Sequence, residues 1–380
     1  MEKIHQTYFV KALVATVLIS FIFSMASFYH QAFNSHPHND IPTHIYLTAK
    51  AAVKGEWPGY TIYHRLIFLF SGFSYHAKTL GVATVGFLTA CVVLRSVITV
   101  WLFKSLSKSF WVLTAISFAN ILAMPIFNWW CFPSVYLGQL TPTVWHNPTT
   151  IVSMPLAALL FFQYSKMRED LNVKDTIITS AMLIGNTLIK PNYTLIFIFV
   201  IGADMIFRML KGDARKALIT ISITSIPLIL VMACLYLQTY GDNINDTSGV
   251  QIKPFEVWLR YSPNIFASLL LSLAYPIIAA VSILRKKVWT SELSIAWAAL
   301  IIAVLQFSLF SEGGQRWTDA NFVWGCHITL FILFLVTTKV FFSISESREK
   351  LLGKAILSLH AIAGIVFYIR SFYLLHPYWA

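Results

Sequence analysis

The chain has 380 residues, 57% of them hydrophobic and 12% charged, with mean hydropathy +0.68 and a formal charge of +12. Soluble domains carry about 25% charged residues, so this composition excludes a soluble globular protein and fits an all-α polytopic membrane protein. A basic balance would point to nucleic acid in a soluble chain. Here the placement of Lys and Arg in alternate loops accounts for it, and no nucleic-acid partner is expected.

Apolar runs of about 20 residues are long enough to cross the hydrocarbon core of a bilayer. They predict about 11 transmembrane helices, at about 11–29, 79–103, 111–130, 148–164, 176–189, 193–209, 217–237, 264–284, 293–310, 321–341 and 355–375. The runs 176–189 and 193–209 are short and are split by "IKPN"; they read as two short spans rather than one re-entrant hairpin. Ser24–Ala26 has a small-x-small pattern, but the first apolar run is longer than a signal-peptide core, so it reads as a retained span. Of the 28 Lys and Arg residues, 18 fall in one set of alternate loops and eight in the other. The excess marks the cytoplasmic side, which puts the N-terminus in the cytoplasm and the C-terminus outside. Residues 1–380 then form a single transmembrane domain, with 30–78 as a large extracytoplasmic loop.

The inner loops ("KSLSKS", "RMLKGDARK", "RKK") are short and basic and read as topology anchors. The outer loops are longer and hold eight of the eleven histidines. In "NSHPHNDIPTHIY" (34–46), Asp40 precedes a helix-compatible stretch with Pro42 in its first turn, and Gly55 and Pro58 close it. Ile41, Ile45, Ala49, Ala52 and Val53 recur at helical spacing, which predicts an amphipathic helix at the membrane interface. Asp40 is then either a helix cap or a carboxylate aimed into a membrane-edge cleft, able to act as a general base. His36, His38 and His44 could hold a divalent metal with Asp40, but the spacing is far weaker than a zinc-protease helix signature. They read instead as solvated residues or as uncharged contacts to a polar substrate; neither metal nor cofactor is expected.

In "NWWCFPSVYLGQLTPTVWHNPTTI" (128–151), Trp129, Trp130, Tyr136 and Trp145 suit an interfacial aromatic belt. Gln139, His146 and Asn147 bracket two prolines before a span, and such groups face protein or a watery cavity rather than lipid. Lys190 and Asn192 sit between two short apolar runs. There a cation snorkels to the surface or meets an anion, with a phosphate as the functional candidate. Asp204 reads as a local pair with Arg208. In "SEGGQRWTDANF" (311–322), Glu312, Arg316 and Asp319 form either a salt-bridge knot or a clamp on phosphate through Arg316.

Taken together, the single first span, the large outer loop with an acid opening a juxtamembrane helix, the "GQLTP" segment and "GNTLIKPN" (Gly185–Asn192) resemble the GT-C superfamily of integral-membrane glycosyltransferases. The likeness is to the mannosyltransferase-like branch, which uses polyprenyl-phosphate sugars. It implies Asp40 as catalytic base, Lys190 and Arg316 on the lipid phosphate, and His36, His38, His44, Gln139 and His146 on sugar or acceptor. The partners it implies are a polyprenyl-phosphate sugar donor, a glycan or lipid acceptor and the membrane lipid. The chain departs from that pattern in lacking paired acids in the first outer loop and a large soluble C-terminal domain. Compact loops suggest a bacterial inner membrane with the site extracytoplasmic. A transporter or flippase, a polymerase or ligase of lipid-linked glycans, and a non-enzymatic scaffold are the competing readings. A transporter is expected to show internal repeats and midplane charges, and no clear repeat is visible.

Overall fold

Each predicted apolar run overlaps a helix in the computed structural model, which describes residues 2–34, 40–107, 109–126, 134–240, 249–344, 346 and 348–373; the run 111–130 is helical only to Leu122 among the described residues. Helix α1 (Glu2–Asn34) is followed by α2 (Asp40–Lys54) and α3 (Tyr63–Phe70). Next come α4 (Ala77–Phe103), α5 (Phe110–Leu122), a one-turn α6 (Val135–Gly138), α7 (Pro148–Met167), α8 (Val173–Ile189), α9 (Asn192–Leu210) and α10 (Ala214–Tyr240). After strand β1 (Val250–Ile252) the chain forms α11 (Glu256–Tyr261), α12 (Ile265–Arg285), α13 (Ser291–Leu309), β2 (Phe310–Glu312), a 3-10 turn (Gly314–Asp319), α14 (Val323–Ser343) and α15 (Arg348–Tyr373). The two strands pair antiparallel, Gln251 opposite Ser311.

Among the described residues, eight helices are long and apolar enough to cross a membrane: α1, α4, α9, α10, α12, α13, α14 and α15. By length and composition this is an integral membrane protein of all-α class. The other three predicted runs form helices that fall short of that standard. Helix α5 has 13 residues and α8 has 17, below the ~20 needed for a full crossing. Helix α7 has 20 residues but buries Thr149, Thr150 and Ser153 in its first two turns.

The core centres on α14, whose residues are nearly all buried and which packs on α7, α9, α12 and α13. The chain between α5 and α7 runs into this core: residues 134–147 are almost entirely buried, yet only α6 within them is helical. Irregular backbone is tolerated at such depth only where its polar groups find partners. Here the surrounding helices supply them. The Thr141 amide donates to His327 Nδ1 at 3.0 Å and the Leu140 amide to Ser272 Oγ at 3.1 Å. Trp258 Nε1 donates to the Gly138 carbonyl at 3.1 Å, and Gln31 Nε2 to the Trp145 carbonyl at 2.8 Å. Arg95, 2% exposed within α4, donates to the Ile121 carbonyl at 3.1 Å and lies over the rings of Trp145 and Phe331. The guanidinium thus caps the open carbonyl end of α5 where that helix stops.

This inward fold corrects the aromatic-belt expectation for Tyr136 and Trp145, which are 0% and 2% exposed and pack inside the protein. Trp129 and Trp130 lie outside the described residues. The expected Asp204–Arg208 ion pair is present, but Arg168 and Tyr164 hold the same carboxylate more closely. Arg168 grips Asp204 through two hydrogen bonds of 3.0 and 2.7 Å and Tyr164 adds one of 2.7 Å, while Arg208 stays 3.7 Å away. A planar guanidinium reaching across from the end of α7 matches both carboxylate oxygens, which a neighbour on the same helix does not.

Candidate functional site

The segments predicted as outer loops converge on one cavity of about 1210 Å³. Its polar lining includes Asp40, His44, Tyr60, His146, Asn147, Thr149, Lys190, Asn192, Glu312, Arg316, Asp319 and Asn321. Its apolar wall is the C-terminal half of α10, including Ile229, Met232, Ala233, Tyr236 and Leu237, together with Leu195 and Phe322.

Asp40 is the first residue of α2, as the sequence predicts, and that helix ends at Lys54 before Gly55, whose φ of +74° turns the chain. The buried face of α2 is Ile41, Ile45, Thr48 and Ala51, whereas Val53, expected on it, is exposed. Burying this face turns Asp40 and His44, one turn apart, into the cavity. The same packing brings His44 against His64, with the two imidazoles stacked at 5.1 Å and Thr48 Oγ1 2.8 Å from His64 Nδ1.

Asn147 is the N-cap of α7, ahead of a Pro at the first helical position. Its Oδ1 accepts from the Thr150 amide at 3.1 Å and the Thr150 hydroxyl at 2.7 Å, and its Nδ2 donates to Asp40 Oδ2 at 2.8 Å. Lys190, at the end of α8, donates to Asn147 Oδ1 at 3.1 Å and to Thr149 Oγ1 at 3.0 Å, with its ammonium 5.2 Å from the centre of the Trp324 ring. At 8% exposed it does not snorkel. One of its three N–H groups is left over from these two bonds. His146 Nε2 stands 3.9 Å from Asp40 Oδ2, its ring packed between those of Tyr136 and Trp324.

Electrostatics follow from this burial. Asp40 is held above the usual carboxylate range by desolvation; the Asn147 hydrogen bond and the Lys190 charge pull it back, and Asp319 pushes it up. A third of its side chain still faces the cavity, so water there moderates the effect. Burial brings Lys190 down to about 8, against the pull of Asp40 and Glu312. His44 and His146 lie well below the ordinary imidazole value because of burial, a neighbouring histidine and Lys190, so both are neutral at pH 7 and their ring nitrogens serve as hydrogen-bond groups.

At the other side of the cavity, Glu312 is the hub. It accepts hydrogen bonds from Tyr240 and Asn321 and pairs with Arg316 at 3.3 Å, while Asp319 sits 3.9 Å from Arg316. The salt-bridge knot is therefore present, and it lines the cavity as well. Asn192 donates to the Asn321 carbonyl at 2.6 Å, tying the start of α9 to the turn before α14.

The structure thus brings Asp40, His44, His146, Lys190, Asn192, Glu312, Arg316 and Asp319 together. It does not bring Gln139: that side chain is 0% exposed, outside the cavity lining, with its amide directed to the Ile126 carbonyl at 3.4 Å. The reason is that residues 134–147 fold inward, so Gln139 lies among core helices. His36 and His38 lie outside the described residues. Among the described residues no group of three or more His, Cys, Asp or Glu is arranged to hold a metal ion. Trp324 and Thr149 are cavity residues that sequence reasoning does not single out. Asn147 carried a signal, the Asn-Pro-Thr-Thr helix start, but its reach to both Asp40 and Lys190 spans sequence separations of 107 and 43 residues.

No protein-family model matches the chain, and no curated protein matches it in sequence.

Proposed function

We propose that this protein is a glycosyltransferase of GT-C type. It transfers one sugar from a polyprenyl-phosphate donor to a hydroxyl of a glycan or lipid acceptor. The observation that supports this reading is the bridging of Asp40 and Lys190 by Asn147 in a cavity that has one polar wall and one apolar wall. A lipid-linked phosphosugar needs just these surfaces, apolar for the tail and hydrogen-bonding for the head.

In the reaction the acceptor oxygen attacks the anomeric carbon and its proton passes to the Asp40 carboxylate. The bond from the anomeric carbon to the phosphate oxygen breaks, and polyprenyl phosphate leaves with the electron pair. Lys190 offsets the charge on that phosphate through its remaining N–H. Arg316 lines the same cavity but is already neutralised by Glu312 and Asp319, so it is the secondary phosphate contact. Neutral His44 and His146 hydrogen-bond sugar or acceptor hydroxyls.

In this reading α5, α7 and α8 complete eleven crossings. The N-terminus is cytoplasmic and the cavity extracytoplasmic, in a bacterial inner membrane. Segment 30–78, with α2 as juxtamembrane helix, is the outer loop that carries the base.

The test uses purified protein in lipid nanodiscs, a panel of radiolabelled polyprenyl-phosphate sugars and release of polyprenyl phosphate as readout. Wild type turns over one donor, and Asp40→Asn, with an unchanged melting curve, loses about 10²–10⁴-fold in rate. Undiminished turnover in that variant removes Asp40 as the base.

A further inference from the structure

We infer that Asn147 is a positioning residue for Asp40: its amide, locked by Lys190 and the start of α7, decides which carboxylate oxygen is free to receive a proton. The role in transfer rests on the function proposed above; the orientation itself does not.

The argument begins with which atom of the Asn147 amide faces which partner. A backbone N–H and a lysine ammonium can only donate. The Thr150 amide and Lys190 Nζ both lie 3.1 Å from one amide atom, so that atom is the oxygen. The hydroxyls of Thr149 and Thr150 reach the same oxygen at 3.1 and 2.7 Å. The other end is therefore NH₂, which only donates, and it stands 2.8 Å from Asp40 Oδ2. Oδ2 must then present a lone pair. Among the described residues no hydrogen bond reaches Oδ1, and Asp40 lines the cavity. Oδ1 is the oxygen that meets an incoming hydroxyl.

Four donors on Oδ1 of Asn147 also polarise the amide, which strengthens the Nδ2–H donated to Asp40. The lysine charge thus reaches the acid through one amide rather than by direct contact. This favours the ionised form of Asp40, against the desolvation that opposes it, without blocking the carboxylate, because a direct Lys–Asp ion pair would occupy the oxygen the reaction needs. The other ionisable groups facing Asp40 are His146 beside it, His44 one turn along α2, and Tyr60 and Asp319 across the cavity.

Two substitutions separate this role from a helix cap. Ser and Asp cap helices as well as Asn does, so Asn147→Ser and Asn147→Asp both preserve the start of α7. Ser is too short to reach Asp40, and Asp carries no donor. The measurement is an infrared titration of the Asp40 carboxyl band, assigned by its loss in Asp40→Asn, on the purified full chain. We expect the Asp40 midpoint to rise by about one pH unit in Asn147→Ser and further in Asn147→Asp, with helix content and melting temperature held. In the transfer assay, kcat falls about 10–100-fold while KM for donor changes less than about threefold, because Lys190 keeps Thr149. An Asp40 midpoint unchanged in the folded Asn147→Ser protein overturns the inference. A wild-type protein that transfers no sugar, yet shows the shifted midpoint in the variants, sinks the proposed reaction and leaves the amide bridge standing.

Discussion

At the scale of single residues, Asp40 and Lys190, joined through Asn147, make opposite demands on pH. The proposed transfer needs Asp40 ionised and Lys190 charged. Burial raises the first above the usual carboxylate range and brings the second down to about 8. Activity therefore rises as pH climbs through the Asp40 midpoint and falls as pH passes about 8, giving a bell in kcat/KM against pH. A profile flat to pH 10 contradicts the lysine arm. Replacing Lys190 by Met keeps the bulk of the side chain and leaves Asn147 its threonine donors, so the fold survives. A charged hydrogen bond to phosphate contributes about 1.5–3 kcal/mol, so KM for donor rises about 10–100-fold; steady-state kinetics over a donor titration reads this directly. The residue types themselves were legible in the sequence: an acid at a helix start, and a cation where a cation is costly. What was not legible is that Asn147 joins them, since the three come from separate loops.

The elements succeed or fail by how closely they approach. Helix α15 crosses the end of α5 at Gly364, where an added methyl would lie 1.8 Å from the Leu122 carbonyl oxygen. The obstacle is backbone, which no rotamer change relieves. Gly364→Ala should cost at least the 1–3 kcal/mol typical of overpacking and lower the midpoint of a detergent size-exclusion melt by several degrees; an unchanged midpoint shows the crossing to be looser than this. The same neighbourhood explains how α5 can stop inside the bundle. Its end is held by Arg95 from α4, while the Met124 amide donates to the His360 carbonyl of α15 at 3.1 Å. Helical spacing located α2, and apolar run length located α4 and α7, to within a few residues, because both signals are local in the sequence. The inward course of 134–147 was not legible, because its partners, His327, Ser272, Trp258 and Gln31, lie far away in sequence.

Over the whole molecule, one cavity collects polar side chains from several separate segments. The charged cavity residues come from the segments predicted to face outward, while the basic segments around Lys104, Arg215 and Lys286 lie outside the cavity lining. The orientation predicts a labelling pattern in intact cells of a bacterial host. In a chain stripped of its native cysteines, Lys50→Cys should react with an impermeant maleimide and Lys211→Cys only after the membrane is opened. Both positions are exposed. The reverse pattern places the cavity in the cytoplasm and removes the extracytoplasmic reading.

Composition and hydrophobic runs, read locally, were enough to specify an integral membrane protein built of helices, because burying apolar surface in lipid depends on stretches of about 20 residues and nothing more distant. The amphipathic helix opening at Asp40 was written the same way. Only the tertiary structure decided that Tyr136, Gln139 and Trp145 go inside, that Glu312 anchors the knot around Arg316, and that one asparagine spans acid and lysine. Those outcomes depend on which distant backbone and side-chain groups can satisfy one another in a place without water, and that matching exists only once the helices have packed.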